Sequence, residues 1–278
     1  MMPGCEALWP MDKRITGRML LAMDIDGTSV GRDHRLGEKT RQALRRFRQA
    51  GHVVCFASGR NEFDMWNMCG DHREADYVIC NTGGKILRAA DDAVLSLHLA
   101  DAESVRALAG ACLGHDDCVL YAIAAGYMGV SRMTPGVREY TDSIRCRPAV
   151  YASAEELPLA GVQVMMASGN VSRAVAAIRG GGLALDYVSS DPGVIDITPR
   201  GVGKWSALLE LCRMEGIPPE NVAAAGNYLN DRDMIEHAGI GIAVGNAVPE
   251  IKALADIVLQ HDCEHDAIAE LVDKLLAM

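Results

Sequence analysis

The chain has 278 residues, which at about 150 residues per domain gives an expectation of two domains. Its 49% hydrophobic and 23% charged residues are the balance of a globular protein and exclude a disordered chain. The net charge of −10 excludes non-specific nucleic-acid binding, which rests on Lys and Arg against phosphates, and no apolar run reaches the roughly 18 residues of a membrane helix.

Residues 1–18 show no periodicity and read as a frayed leader, without the basic-then-apolar order of a signal peptide. Leu20–Met23 is a short apolar run ending in acids and a glycine, which predicts a buried strand. A helix follows over Glu38–Ala50, with Ala43, Leu44 and Phe47 on one face and Gly51 just past its end. Val53–Ala57 is the next strand, 64–69 a short helix, and Tyr77–Cys80 a third strand. This alternation implies right-handed βαβ units and a parallel sheet.

The middle of the chain reads differently. Strands are predicted over 93–99, 119–123, 127–131 and 161–167, with helices over 101–113 and 171–179. Residues 183–188 and 194–198 flank Ser190-Asp191-Pro192-Gly193, a turn signal that predicts a hairpin. Hairpins with helices between them suggest an antiparallel α+β module. After Pro199 the βα rhythm returns: helices at 204–215, 229–237, 249–255 and 264–276, strands at 222–225, 240–244 and 257–259. The fold class is therefore α/β: a Rossmann-like parallel-sheet core of residues 1–84 and 199–278, split by an inserted α+β module of residues 85–198. Nine scattered cysteines with no CxxC pair argue for reduced thiols in a cytoplasm rather than a disulfide framework or zinc ribbon.

Ligands of open α/β sheets bind outside the carboxyl ends of the strands. Four such ends converge here: Asp24-Ile25-Asp26-Gly27-Thr28, Ser58-Gly59-Arg60, the start of the helix at Lys204, and Gly226 to Asp231. Asp24 and Asp26, two apart, concentrate negative charge that a cation must neutralise. Mg²⁺ suits that role, since it takes one or two carboxylates and keeps several waters. A metal-held aspartate is also a competent nucleophile. Ser58 offers a hydroxyl and backbone N–H groups to a phosphoryl oxygen, Lys204 a point cation, and residues 226–231 further oxygen donors. Read alone, the first motif is equally a turn or helix cap.

Together, in this order, the motifs resemble the haloacid dehalogenase-like hydrolase superfamily, more closely its Cof-type phosphatases with a large (C2-type, subclass IIB) cap between the second and third motifs. MDIDGT (23–28), ASGR (57–60), NTGG (81–84), residues 197–212, AAGNYLNDRDM (224–234) and residues 242–259 carry the likeness. The resemblance implies a Mg²⁺-dependent phosphatase acting on a small phosphorylated metabolite such as a sugar phosphate. By the same resemblance Asp24 matches the nucleophile. Asp26 matches the acid that protonates the leaving oxygen and then activates water, and its main-chain carbonyl binds Mg²⁺. Ser58, the Gly59 N–H and the backbone at Ile25 match the phosphate clamp, with Arg60 beside them in the substrate-binding set. Lys204 matches the cation that offsets charge on Asp24, Asn230 a further phosphate contact, and Asp231 an acid supporting the metal or its waters. The family usually carries Asp where this chain has Asn227, so the resemblance implies weaker Mg²⁺ binding through an amide oxygen. Asn81 reads either as a turn residue or as a wall of the site near the cap hinge.

Other candidates read as structural. His261-Asp262-Cys263-Glu264-His265 has metal-ligand spacing but lies where loop and cap residues are expected, Arg41, Arg45, Arg46 and Arg48 form a solvated helix face, and Met165-Met166 belongs to the core of the module. The expected partner is a small phosphorylated substrate, with neither nucleic acid nor membrane, and oligomeric state stays open. Two rival readings stand beside hydrolysis. A phosphotransferase or phosphomutase uses the same architecture, and a weakly active phospho-ligand-binding protein would fit Asn227 but has no use for both Asp24 and Asp26.

Overall fold

The computed structural model describes residues 15, 17–61, 64–65 and 72–278. The leader expected over 1–18 and the helix expected over 64–69 fall largely outside the described residues.

An eight-stranded sheet forms the core, in the order β14-β13-β12-β1-β2-β3-β4-β5. Its parallel part is β1 (Leu20–Met23), β2 (Val53–Ala57), β3 (Tyr77–Cys80), β12 (Val222–Gly226), β13 (Ile240–Ala243) and β14 (Ile257–Val258). All residues of β1 and β2 are buried because helices cover both faces, so these strands read as unbroken apolar runs. β1 lies between β2 and β12, and the strand order reverses there. That reversal opens a crevice at the carboxyl ends. Helix α1 (Glu38–Gln49) buries Ala43, Leu44 and Phe47 on the sheet, and Gly51 (φ +90°) follows its end. Its basic face is paired rather than merely solvated: Arg45 bonds Glu74, Arg46 bonds Asp273 and Arg48 bonds Asp76.

Residues 85–97, assigned above to the inserted module, pair instead with the core sheet as β4 (Lys85–Arg88) and β5 (Ala93–Leu97). The cause is the turn at 81–84. Asn81 and Thr82 both sit at φ +53° and Gly83 at φ +100°, so the chain doubles back and β4 runs antiparallel on β3. A second, six-stranded sheet then follows in the order β10-β11-β9-β6-β7-β8. It comprises β6 (Cys118–Ala124), β7 (Tyr127–Val130), β8 (Ala149–Val150), β9 (Val162–Gly169), β10 (Leu185–Asp191) and β11 (Val194–Pro199). The hairpin expected around 190–193 is β10 and β11, paired antiparallel. Helices α2 (Ala102–Cys112) and α4 (Ser172–Gly180) pack on one face of this sheet, around Leu108, Leu120 and Met165. Helix α3 (Pro135–Ser143) lies on the other face, against Val119 and Tyr121. It escaped the periodicity reading, although Thr134 caps it through the Val137 N–H and Pro135 opens it.

Four elements close the core. Helix α5 (Lys204–Glu215) ends at Gly216 in the left-handed conformation, and α6 (Arg232–His237), α7 (Pro249–Leu254) and α8 (Ala267–Leu276) alternate with the last strands. Among the described residues no helix is long and apolar enough to cross a membrane.

Candidate active site

Asp24 directly follows β1. Its N–H donates to the Ala225 carbonyl at 3.0 Å, which extends the β1–β12 ladder by one residue and leaves the carboxylate at the sheet's edge. The chain then curls tightly, because the Ile25 carbonyl accepts the N–H groups of Thr28, Ser29 and Val30. Gly27 is required in this loop. It sits at φ +73°, and a Cβ there would lie 2.5 Å from Asn227 Nδ2.

Lys204 is the first residue of α5, and the 81–84 turn lies against that helix start: a Cβ on Gly83 would sit 2.2 Å from the Gly203 carbonyl oxygen. From there Lys204 Nζ donates to Asp24 Oδ1 at 2.7 Å and to Asp231 Oδ1 at 2.6 Å. Asp231 Oδ2 accepts the N–H groups of Asn227 and Tyr228, at 2.8 and 3.1 Å. Burial, then the nearby Asp231 charge, pushes the Asp24 carboxyl up to about 7 against the pull of Lys204. Burial works against the Lys204 charge, but Asp231 and Asp24 outweigh it and hold the ammonium above the ordinary lysine value.

A second knot of charge surrounds Asp26. Arg60 grips it with both arms of its fork, Nε to Oδ2 and Nη2 to Oδ1 at 2.8 Å. The remaining arm, Nη1, donates to Asp64, and Tyr140 of α3 donates its hydroxyl to Asp64 Oδ2 at 3.2 Å. Burial pushes the Asp64 carboxyl up while Arg60 pulls it down, and burial and the Asp64 charge together raise the Tyr140 hydroxyl.

Both groups open on one cavity of about 620 Å³ between the two sheets. Of the residues picked out from the sequence, Asp24, Asp26, Ser58, Gly59, Arg60, Asn227 and Asn230 line it. Lys204 and Asp231 lie behind Asp24, fully buried. Ile25 is buried and lends its backbone to the loop. Asn81 is the turn residue of its two readings, not a wall of the cavity: it is buried and donates from Nδ2 to Gln163 Oε1 of β9 at 2.8 Å.

The far wall comes from the second sheet, where Tyr121 and Met166 are register partners and both face the cavity. Met165, its neighbour, points the other way into the core of the module, as strand alternation dictates. The Met pair therefore splits between core and cavity. Asp196 of β11 also lines the cavity, bonded by the Thr82 and Ser190 hydroxyls at 2.7 and 2.9 Å, and a Cβ on Gly59 would meet its Oδ2 at 2.6 Å. Burial pushes this carboxyl up, with Thr82 and Ser190 opposing. Sequence reasoning missed Asp64, Tyr140 and Asp196. Only Asp64 left a local signal, standing four residues after Arg60.

What the donors offer a cation follows from this geometry. Among the described residues no group of three or more His, Cys, Asp or Glu is gathered as a metal cage, and 261–265 holds a loop closed by Asp262 on the Glu264 N–H. Asp231 has both oxygens engaged by protein donors and does not reach the cavity, so its sequence-based place among the metal ligands gives way to holding Lys204. Asp24 reaches the cavity with Oδ2 outside its bond to Lys204. The Asn227 amide faces the same space, its Oδ1 accepting from Thr28 Oγ1 at 3.1 Å. One carboxylate with neutral oxygens around it suits a hard dication that keeps much of its water, as Mg²⁺ does.

A model of the haloacid dehalogenase-like hydrolase family matches residues 21–272. An HMP-PP phosphatase of Klebsiella pneumoniae is 25% identical over 268 residues, covering 91% of this chain and 94% of its own. One of Yersinia pestis is 27% identical over 274 residues, covering 93% and 95%. Among solved structures, one described as a HAD subclass IIB sugar phosphatase superposes with a TM-score of 0.82 over 94% of this chain and 100% of its own, at 23% identity. At that identity the likeness is one of fold.

Proposed function

The chain belongs to the haloacid dehalogenase-like hydrolases, and we propose that it is a Mg²⁺-dependent phosphatase that hydrolyses a small phosphorylated metabolite through an aspartyl-phosphate on Asp24. The observation that carries this reading is the buried Asp24–Lys204–Asp231 chain, which ends in a carboxylate facing the cavity at the strand-order reversal. Lys204 favours the ionised, attacking form of Asp24 against the opposing effect of burial, and Asp231 holds Lys204 in place.

In the first half-reaction Asp24 attacks phosphorus, the bond from phosphorus to the leaving oxygen breaks, and Asp26 gives that oxygen a proton. In the second, Asp26 takes a proton from water as the water oxygen attacks the same phosphorus, which frees Asp24 and inorganic phosphate. Ser58, the Gly59 N–H and Asn230 line the cavity where the phosphoryl oxygens would lie. Asp24, the Asp26 carbonyl and Asn227 would hold Mg²⁺, with Asp231 supporting from behind. The ion supplies charge neutralisation for the phosphoryl group, the main demand of such a transfer. The inserted module serves as a cap that excludes water and receives the leaving group against Tyr121 and Met166.

HMP-PP is the first substrate to test, because the relatives of that name match nearly end to end. Scattered thiols support work in a reducing cytoplasm. The test is a screen of HMP-PP and other phosphorylated metabolites with Mg²⁺ and with EDTA, on wild type and Asp24→Asn. Mg²⁺-dependent phosphate release that the variant lacks supports the reading. Release by the variant at the wild-type rate would overturn it.

A further inference from the structure

We infer that a second cavity, beside the active one and lined by Asn61, Arg145 and Arg147, is a binding site for a small organic anion: a phosphate or carboxylate carried on an apolar body.

This cavity is about 290 Å³ and opens where the inserted module meets the loop that follows β2. Strand alternation places it. Tyr121 of β6 lines the active cavity, and Ile123, two residues on and so on the same face, lines this one. Tyr140 packs against both Tyr121 and Ile123, so the two chambers share its ring as a wall. Part of the lining is apolar: Ile123, Met128 and Ile144 belong to one buried cluster whose surface the cavity meets. The charge in the lining has a single sign. Among the described residues Arg145 and Arg147 are its charged members, and neither is paired with a carboxylate. A guanidinium with its fork free takes a phosphate or a carboxylate by two parallel N–H bonds.

Asn61 adds the buried donor that solvent-facing arginines lack. It is 3% exposed and lines the cavity. Its Oδ1 accepts the Asp64 N–H at 3.0 Å, which fixes the amide, and its Nδ2 donates to no described residue. A buried amide donor left without an acceptor is costly, and an oxygen of a bound anion removes that cost. Arg145 adds a backbone signal. It lies just past the end of α3 at φ +54°, where its N–H donates to the Asp142 carbonyl at 3.1 Å and where glycine is the usual occupant. Side chains held in so disfavoured a conformation cluster at ligand sites. An anion on these three donors would lay its body on Ile123 and Met128. It comes from one of two sources: the far end of a substrate whose phosphoryl group lies in the active cavity, or a separate small molecule.

The probe is phenylphosphonate, a non-hydrolysable phosphate mimic on a ring, titrated by calorimetry into the whole protein in EDTA. Benzyl alcohol supplies the ring without the anion. Phenylphosphonate should bind wild type at least about tenfold tighter than benzyl alcohol does, and the double variant Arg145→Gln with Arg147→Gln should lose about tenfold or more in affinity. Arg145→Gly should also bind about tenfold more weakly while melting no lower than wild type, since glycine fits φ +54°, so the loss is not one of folding. Equal affinity in wild type and the double variant overturns the inference, and so does benzyl alcohol binding as tightly as phenylphosphonate. These titrations need no turnover, so they stand or fall apart from the phosphatase reading. Turnover separates the two sources. On p-nitrophenyl phosphate the double variant should keep kcat/KM within about twofold of wild type, because neither arginine lines the active cavity. On a phosphate monoester whose leaving group ends in a carboxylate, a loss of about tenfold in kcat/KM identifies the far end of the substrate. An unchanged kcat/KM there, with phenylphosphonate binding still dependent on the arginines, identifies a separate molecule.

Discussion

Replacing Asp24 by asparagine should stop turnover and yet make the metal-free protein more stable at pH 8. The site puts a carboxylate where it is needed, not where it is stable. Burial and the Asp231 charge raise the Asp24 carboxyl from 3.8 to about 7. At ~1.4 kcal/mol per pKa unit, ionising it in the folded protein costs on the order of 4 kcal/mol more than in the unfolded chain. The sign follows from proton counting. Between those two values the folded protein keeps a proton that the unfolded chain has released, so stability falls as pH rises from about 4 to about 7, then levels off. Asparagine never ionises, and its amide oxygen can still accept from Lys204 Nζ, so the variant escapes this cost. A gain of about 1–4 kcal/mol corresponds to a melting temperature higher by roughly 2–7 °C in a chain of this size. Thermal melts in EDTA from pH 4.5 to 8.5 read the difference, which should shrink toward the acid end. Added Mg²⁺ should then narrow the gap at pH 8, since it binds the ionised carboxylate. A variant that melts below wild type at pH 8, or a gap that ignores pH, would refute the reasoning.

Lys204→Met should act in the opposite direction. It leaves two buried carboxylates without their shared cation, and breaking such a buried pair costs about 3–5 kcal/mol, which urea melts in EDTA at pH 8 would show. Asn227→Asp adds a third acid beside Asp24 and Asp26. It should lower the Mg²⁺ concentration for half-maximal activity about tenfold, as ligand charge tunes affinity. The same change should lower the melting temperature in EDTA through repulsion. An unchanged Mg²⁺ titration would mean that residue 227 does not meet the ion.

Much of the fold was legible because its signals are local. Leu20–Met23, Val53–Ala57 and Tyr77–Cys80 are buried on both faces and so stand out as apolar runs with polar ends. The convergence of Asp24, Asp26, Ser58, Gly59, Arg60 and Asn227 was legible for the same reason, since each closes or follows a parallel strand. What escaped is decided at long range. β4 and β5 join the core sheet because two left-handed residues and Gly83 reverse the chain, a choice that hydrophobic periodicity does not encode. Asp231 leaves the cavity because Lys204, 27 residues earlier in the chain, and two backbone N–H groups claim its oxygens. Tyr140 and Asp196 become part of the site only when the second sheet is laid over the first, and nothing next to them in sequence announces it.

The central claim is that Asp24 forms a covalent bond to phosphorus, and the most direct test is to catch it. Wild-type protein turning over its best substrate with Mg²⁺ is quenched and treated with borohydride, which reduces an acyl phosphate to the primary alcohol, and the peptides are read by mass spectrometry. The account predicts the reduced side chain at position 24 in wild type, absent without substrate and absent in Asp24→Asn. Reduction at another acid, or none at Asp24 in a protein trapped at a burst of phosphate release, would contradict it.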